Sequence, residues 1–139
     1  MSKIRWVCTR ASFKPSPSKA VRWLAPQADF YRFQQSQMTR GVEPPTLETW
    51  TEWHENGLVF CGVTERGILR AYAAVLKHEN SDWELTGVRT LEEFQKRGFA
   101  TIGCSFVTEY ILRHNEVAAC EIEENDEAMT RTLVKLGYH

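Results

Sequence analysis

A short loop, Gln95-Lys96-Arg97-Gly98-Phe99-Ala100, has the residue types and the spacing that could hold a phosphate group. It follows a strand-like segment at 83–90 and precedes a run of apolar residues with helical spacing. The first amides of a helix have no partner within the helix and lie at the positive end of its dipole, which stabilises a bound anion by about 0.3–2 kcal/mol. Gly98 allows close approach of the backbone, and Lys96 and Arg97 add positive charge. The loop therefore predicts a pyrophosphate site, although a surface turn with two solvated cations would read the same way.

The rest of the pattern predicts a mixed sheet with helices on its faces. Alternation and turn residues predict strands at 4–9, 20–25, 58–64, 68–77, 83–90 and 117–122. Helices are predicted with Pro26 in the first turn, after a Thr46 cap, from Phe99, and after a cap at Asn125 or Asp126.

Composition excludes several other classes of protein. A chain of 139 residues suits a single domain that buries about 65–70% of its unfolded surface. The net charge of −1 gives no argument for nucleic acid or an anionic membrane, and no apolar run reaches the ~20 residues of a bilayer span. The four cysteines and four histidines are scattered without a C-x-x-C pair. We therefore expect no metal site, and reduced thiols in a cytoplasmic protein.

Three segments together resemble the GNAT superfamily of N-acetyltransferases. The loop resembles the Q/R-x-x-G-x-G/A loop that binds the acyl-CoA pyrophosphate in that family, and Gly87-Val88-Arg89-Thr90 looks like the end of its fourth strand. Asp126-Glu127-Ala128 and Val134-Lys135-Leu136-Gly137-Tyr138 resemble its closing helix. The resemblance covers a little over half of the chain. It implies an α/β fold (α+β in some schemes) with a mixed, mostly antiparallel sheet and helices on both faces. The central parallel strands, here 83–90 and 117–122, would splay apart to admit the cofactor.

The resemblance also implies an activity, transfer of an acetyl group from acetyl-CoA to a primary amine by direct attack and without a metal. The acceptor would be a small-molecule or peptide amine. The backbone N–H of Val88 would stabilise the oxyanion. The residues that would bind coenzyme A are Val88, Thr90, Gln95, Lys96, Arg97, Gly98, Phe99, Ala100, Thr101, Asn125 and Asp126.

Glu84 is the candidate general base. It lies eleven residues before Gln95, the separation at which a general-base glutamate lies in the histone-acetylating branch of the family. Strand alternation predicts one face carrying Glu84, Thr86, Val88 and Thr90. A solvated glutamate is the alternative interpretation. Other candidate bases are His78, Glu79 and Glu121.

Two positions depart from the family pattern. The tyrosine that often protonates the leaving thiolate is replaced by Leu133, and Tyr110 is a conceivable substitute whose spacing favours a core role. The asparagine of the closing helix is replaced by Asp126, with Asn125 one residue away. These changes leave open a second function, that of a catalytically weak or inactive GNAT-like module that binds coenzyme A or regulates a partner.

The expected layout is one GNAT-like domain over residues 1–139. Residues 1–19 would form an N-terminal strand and a Pro/Ser linker, 20–57 the acceptor-side helices, and 58–139 the cofactor-binding core. Family members usually add two strands after the L-G-[FY] motif, and we expect the strand at 4–9 to take their place, within its own chain or in a homodimer. The acceptor side is rich in aromatic residues, of which one or two could line a pocket: Phe30, Tyr31, Phe33, Trp50 and Trp53.

Overall fold

The computed structural model describes residues 2–39, 41–90 and 98–139 of the chain. Their strands are β1 (Lys3–Thr9), β2 (Val21–Trp23), β3 (Leu58–Glu65), β4 (Ile68–Leu76), β5 (Glu84–Thr90) and β6 (Val117–Glu123). Their helices are α1 (Phe30–Thr39), α2 (Leu47–Glu55), α3 (Phe99–His114) and α4 (Glu127–Leu136). None of these helices combines the length and the apolar composition that a bilayer span requires.

One six-stranded sheet runs in the order β1-β6-β5-β4-β3-β2. Its strands pair antiparallel except β5 and β6, which are parallel. Within the described residues, β5 and β6 are aligned at a single position, Glu84 opposite Ala119, where the Ala119 amide donates to Trp83 O at 3.1 Å. Because no further described pair joins the two strands, they diverge after Glu84. The predicted splay of the central parallel strands is therefore confirmed.

Strand β1 completes the half of the sheet beyond β5. It pairs antiparallel with β6 from Lys3 opposite Glu123 to Thr9 opposite Val117, within the same chain. On its other edge, Val7 exchanges two backbone hydrogen bonds with His139, at 2.9 and 2.8 Å. The prediction that the strand at 4–9 completes this half-sheet is confirmed, with the pairing inside one chain.

The two faces of the sheet carry different cores. Helices α3 and α4 cover the face we call the α3 face, where buried aliphatic residues and thiols pack, among them Cys61, Val75, Leu85, Val107 and Leu133. Helices α1 and α2 cover the opposite face, which we call the α1 face, over strands β3 and β4. Its core is aromatic, with Phe33, Trp50, Phe60 and Tyr72 packed around Ala74.

Local signals fix most helix ends. Thr46 caps α2 by accepting a hydrogen bond from the Thr49 amide at 3.2 Å, and Asp126 caps α4 by accepting from the Met129 amide at 3.0 Å. Helix α4 ends at Gly137, whose positive φ of 96° allows its amide and that of Tyr138 to bond back to the last turn.

The predicted start of α1 at Pro26 is wrong, because the helix begins at Phe30. The turn before it is held by Asp29, whose buried carboxylate accepts from the Ala25 amide at 2.6 Å and from Arg22 at 2.7 and 2.8 Å. Arg32 adds a further contact at 2.9 Å. The hydrogen bonds from Arg22 are the main reason that the pKa of the Asp29 carboxyl lies well below its usual range. Tertiary contacts of one carboxylate thus override the local helix-start signal of a proline.

Candidate active site

The candidate site is built around an irregularity in strand β5. In the pairing with β4, Thr86 lies opposite Ala74 and Arg89 opposite Tyr72, so that Gly87 and Val88 together oppose Ala73. This is a β-bulge, in which one extra residue leaves the ladder locally unpaired. Gly87 has a positive φ of 60°, and the bulge therefore uses a conformation that favours glycine.

The bulge reverses the alternation of side chains along β5. Thr86 and Arg89 lie on the α1 face, because their partners Ala74 and Tyr72 belong to the core there. Val88 instead packs half-buried against the core of the α3 face. The prediction that Glu84, Thr86, Val88 and Thr90 share one face is therefore wrong, since it assumed a regular strand.

A cleft of about 640 Å³ lies between the end of β5, the start of α3 and one side of α4. We call it the α3–α4 cleft. Its residues from β5 and α3 are Val88, Arg89, Thr90, Gly98, Phe99, Ala100 and Thr101. Its residues from the start and side of α4 are Asp126, Ala128, Met129, Arg131, Thr132 and Lys135.

The electrostatics of the α3–α4 cleft suit an anion. Gly98 is the N-cap of the 16-residue helix α3, with φ of 83° and no side chain to cap it, so the positive end of the helix dipole faces the cleft. From the opposite wall, Arg131 and Lys135 lie four residues apart and therefore on the same side of α4. These two cations are absent from the residues predicted to bind the cofactor, although their i,i+4 spacing was visible in the sequence.

The structure brings most of the predicted cofactor residues together. Those that line the α3–α4 cleft are Val88, Thr90, Gly98, Phe99, Ala100, Thr101 and Asp126. Asn125 is not among the lining residues, and Asp126 uses one carboxylate oxygen to cap α4. Gln95, Lys96 and Arg97, which carried the predicted pyrophosphate loop, lie outside the described residues.

A second cleft, of about 490 Å³, opens on the α1 face. We call it the aromatic cleft, because Phe33, Trp53, Phe60 and Tyr72 form its walls. The remaining lining residues are Gln37, Val42, Glu43, Pro45, Thr49, Gly87, Val88 and Arg89. Of the aromatic residues predicted near an acceptor, Phe33 and Trp53 line this cleft. Trp50 is fully buried beneath it, and Tyr31 is 65% exposed.

The two clefts meet at the bulge. Val88 and Arg89 line both of them, one cleft with the features of an anion site and the other with an apolar wall. A reaction between a group bound in one cleft and a group bound in the other would therefore take place beside the Val88–Arg89 backbone.

Glu84 lies at the other end of β5 and lines neither cleft. Its side chain is 21% exposed, and its carboxylate lies 3.4 Å from His78 Nε2 and 3.9 Å from Arg5 Nη1. Arg5 also approaches Asp82 at 3.1 Å and Glu121 at 3.8 Å. Glu84 is thus part of a polar cluster four residues before Val88, where β5 and β6 begin to diverge.

Leu133, at the position of the family's acid, and Tyr110, its conceivable substitute, line neither of the two clefts. Leu133 is fully buried in the core of the α3 face. Tyr110 packs edge-on against Trp23 with ring centroids 4.9 Å apart and stacks on Trp83 at 6.0 Å, which agrees with its predicted core role. Within residues 2–39, 41–90 and 98–139, no group of three or more His, Cys, Asp or Glu side chains is placed to hold a metal ion.

The mixed six-stranded sheet, its splayed parallel strands and its four helices match the GNAT fold, and the family comparison agrees. A model of the acetyltransferase (GNAT) family matches residues 27–138, and the chain therefore belongs to this family. The GNAT fold supports acyl transfer in general, its members act on amine acceptors, and the family generally uses acetyl-CoA.

Solved structures with the same fold have low sequence identity to the chain. A protein of Novosphingobium aromaticivorans assigned to the GNAT family superposes with a TM-score of 0.75 at 19% identity, over 99% of this chain and 59% of its own. A GCN5-related N-acetyltransferase from Sphaerobacter thermophilus gives 0.73 at 15% identity, over 99% and 47%. The ribosomal-protein-S18-alanine N-acetyltransferase from Escherichia coli gives 0.68 at 12% identity, over 86% and 76%. The chain thus spans about half of the length of the first two, and comparison with curated proteins found no match.

Proposed function

We propose that the chain is an N-acetyltransferase that moves the acetyl group of acetyl-CoA to a primary amine by direct attack. The observation that carries the proposal is the junction of the α3–α4 cleft and the aromatic cleft at Val88 and Arg89. One cleft suits a phosphorylated donor, the other suits an apolar acceptor, and the two meet at a single stretch of backbone.

The donor would bind in the α3–α4 cleft. Its phosphates would lie against the first turn of α3, with Arg131 and Lys135 supplying positive charge from α4. Its extended arm would run along the end of β5 as an added strand, which the divergence of β6 leaves room for. The family loop residues Gln95, Lys96 and Arg97 would contribute to the same site.

The chemistry needs an oxyanion donor, a base and a leaving group. The amine nitrogen attacks the thioester carbon, forming a C–N bond and an oxyanion, and collapse of this intermediate breaks the C–S bond. The Val88 amide lies in the bulge, where the β4–β5 ladder is interrupted, and we assign to it the hydrogen bond to the oxyanion. A thiol with a pKa near ~8.5 leaves as the thiolate near neutral pH, so Leu133 at the family tyrosine position does not prevent turnover.

Glu84 is the proposed base. It precedes Val88 by four residues, about 13 Å along a strand, so it would accept the proton of the amine through water rather than by direct contact. Its neighbour His78 is placed to receive or share that proton, because its Nε2 lies 3.4 Å from the Glu84 carboxylate and has no hydrogen-bond partner of good geometry among the described residues.

Two measurements test this function. Acetyl-CoA should raise the melting temperature of the protein, because a ligand that binds only the folded state stabilises it. With a panel of amines, Glu84→Gln should lower kcat by about 10²- to 10⁴-fold while the acetyl-CoA shift is kept. Glu109→Gln, which changes an exposed glutamate on α3, is the matched control and should leave kcat unchanged.

The second candidate function is binding of coenzyme A without turnover. Leu133 favours it, because leucine cannot protonate the leaving thiolate as the family's tyrosine does. It would be established if acetyl-CoA stabilises the protein and no amine releases free thiol above the rate of hydrolysis. Absence of any acetyl-CoA shift at millimolar concentration would contradict both functions.

A further inference from the structure

We propose that Arg89 is a specificity-determining residue that binds a carboxylate of the acceptor, and that the acceptors are α-amino acids with an apolar side chain. The inference rests on the proposed function and names the substrate class of the aromatic cleft. It follows from the position of one arginine, from its charge, and from the apolar wall beside it.

Arg89 is placed at the point of reaction by the bulge. It follows Val88 directly, lies on the α1 face opposite Tyr72, and lines both clefts. Its side chain is exposed, and its guanidinium donates to Val88 O at 3.3 Å. Across residues 2–39, 41–90 and 98–139 it forms no ion pair with a carboxylate, whereas Arg5, Arg22, Arg32, Arg70 and Arg113 all do. The Arg89 guanidinium is therefore available to a ligand.

The charge of Arg89 selects among amines. A guanidinium next to the reacting carbon repels an acceptor that carries further positive charge, such as a polyamine, and attracts one that carries a carboxylate. In an α-amino acid, two bonds separate the amine nitrogen from the carboxylate carbon. A carboxylate held by Arg89 would therefore place the amine beside the neighbouring residue, Val88.

The aromatic cleft fits the remaining part of such an acceptor. Its four aromatic walls suit an apolar side chain, and its volume of about 490 Å³ lies within the usual range of small-molecule sites. Two polar groups in its wall are already bonded to one another, since Gln37 Nε2 donates to the Tyr72 hydroxyl at 2.6 Å in a buried contact.

Arg89 could instead bind a carboxylate of the donor, if the acyl group itself ends in a carboxylate. The test therefore varies acceptor and donor separately. The acceptor pair is phenylalanine and phenethylamine, which differ only by the carboxylate, and the donor pair is acetyl-CoA and succinyl-CoA.

The quantity compared is the ratio of kcat/KM for phenylalanine to kcat/KM for phenethylamine, with acetyl-CoA as donor. Arg89→Gln should lower this ratio by about 10- to 100-fold. Arg89→Lys, which keeps the charge and loses the planar fork, should give an intermediate ratio. Arg113→Gln removes an exposed arginine from α3 and should leave the ratio as in the wild type.

Three outcomes would overturn the proposal. If Arg89→Gln loses kcat/KM equally for both acceptors, Arg89 acts in the donor site or in the structure of the strand. If Arg89→Gln loses kcat/KM only with succinyl-CoA, the carboxylate that Arg89 binds belongs to the acyl group. Binding of N-acetylphenylalanine gives a measurement that needs no turnover, and it should be detectable for the wild type and weakened in Arg89→Gln. Failure of the wild type to bind it would also overturn the inference, whereas the acetyl-CoA shift reports on the proposed function separately.

Discussion

The ring of Phe60 occupies the space into which a side chain at Gly87 would extend. A β-carbon added to Gly87 would lie 3.2 Å from Phe60 Cε2, and Gly87 has a φ of +60° that residues with side chains rarely adopt. We predict that Gly87→Ala destabilises the protein by about 1–2 kcal/mol and lowers kcat/KM, because the Val88 amide moves with the bulge. Urea unfolding and thiol-release kinetics measure the two effects.

The control for this substitution is Gly67→Ala in the β3–β4 turn. Gly67 also has a positive φ, of 79°, but no atom lies within 4 Å of an added β-carbon. We expect a similar backbone penalty without a loss of activity. Equal kcat/KM for the two variants would contradict the role given to the bulge.

Arg131 and Lys135 should act on the phosphates of the donor. We predict that Arg131→Gln and Lys135→Gln each raise the KM for acetyl-CoA by about 10-fold or more, with a loss that shrinks as salt is added, because charge-assisted contacts are screened. With acetyl-pantetheine, which has no phosphates, neither variant should differ from the wild type. An equal effect on both donors would mean that these side chains support the structure of α4 instead.

Asp29 should make stability depend on pH. Asp29→Asn leaves Arg22 and Arg32 without their carboxylate, and we predict a loss of about 2–4 kcal/mol at pH 7 in urea unfolding. Because the pKa of Asp29 is lower in the folded protein, its contribution is complete above the unfolded value near ~4 and is lost as pH falls towards the folded value. The difference between wild type and Asp29→Asn should therefore narrow below about pH 4, and a difference that is constant from pH 7 to pH 2 would contradict this account.

The four cysteines should be unreactive in the folded protein. All four are buried, and burial raises the pKa of the Cys61 and Cys120 thiols to about 12. Since the thiolate is the reactive form, we expect no labelling by a disulfide reagent at pH 8 until denaturant is added, and four equivalents afterwards. Fast labelling of the native protein would show that one of these sites opens to solvent.

Much of the fold could be predicted from local signals. The caps at Thr46 and Asp126, the β3–β4 hairpin and the splayed parallel strands all follow from residue types at short spacing or from the family motifs. The start of α1 could not, because Asp29 is held by Arg22 from outside the helix. Propensity rules do not contain that contact.

The site was harder to predict than the fold. Strand alternation predicted the wrong face for Val88. It assumes that every residue of a strand has one partner on the next strand, whereas at the bulge two residues of β5 oppose one residue of β4. Arg131 and Lys135 were not predicted to bind the cofactor, because they become part of a site only when α3 packs across the cleft from α4. The proposed role of Arg89 depends on the junction of the two clefts. That junction is formed by elements that are distant in sequence, so no local sequence pattern predicts it.

Val7 lies opposite Ala119 in the pairing of β1 with β6, and its two backbone hydrogen bonds are made with His139. The partners of β1 therefore lie more than a hundred residues further along the chain, and β1 stays unpaired until they have been synthesised. Closing so long a loop is entropically unfavourable and slow. We expect the half-sheet formed by β1 and β6 to assemble late during synthesis, after the β3–β4 hairpin has already formed.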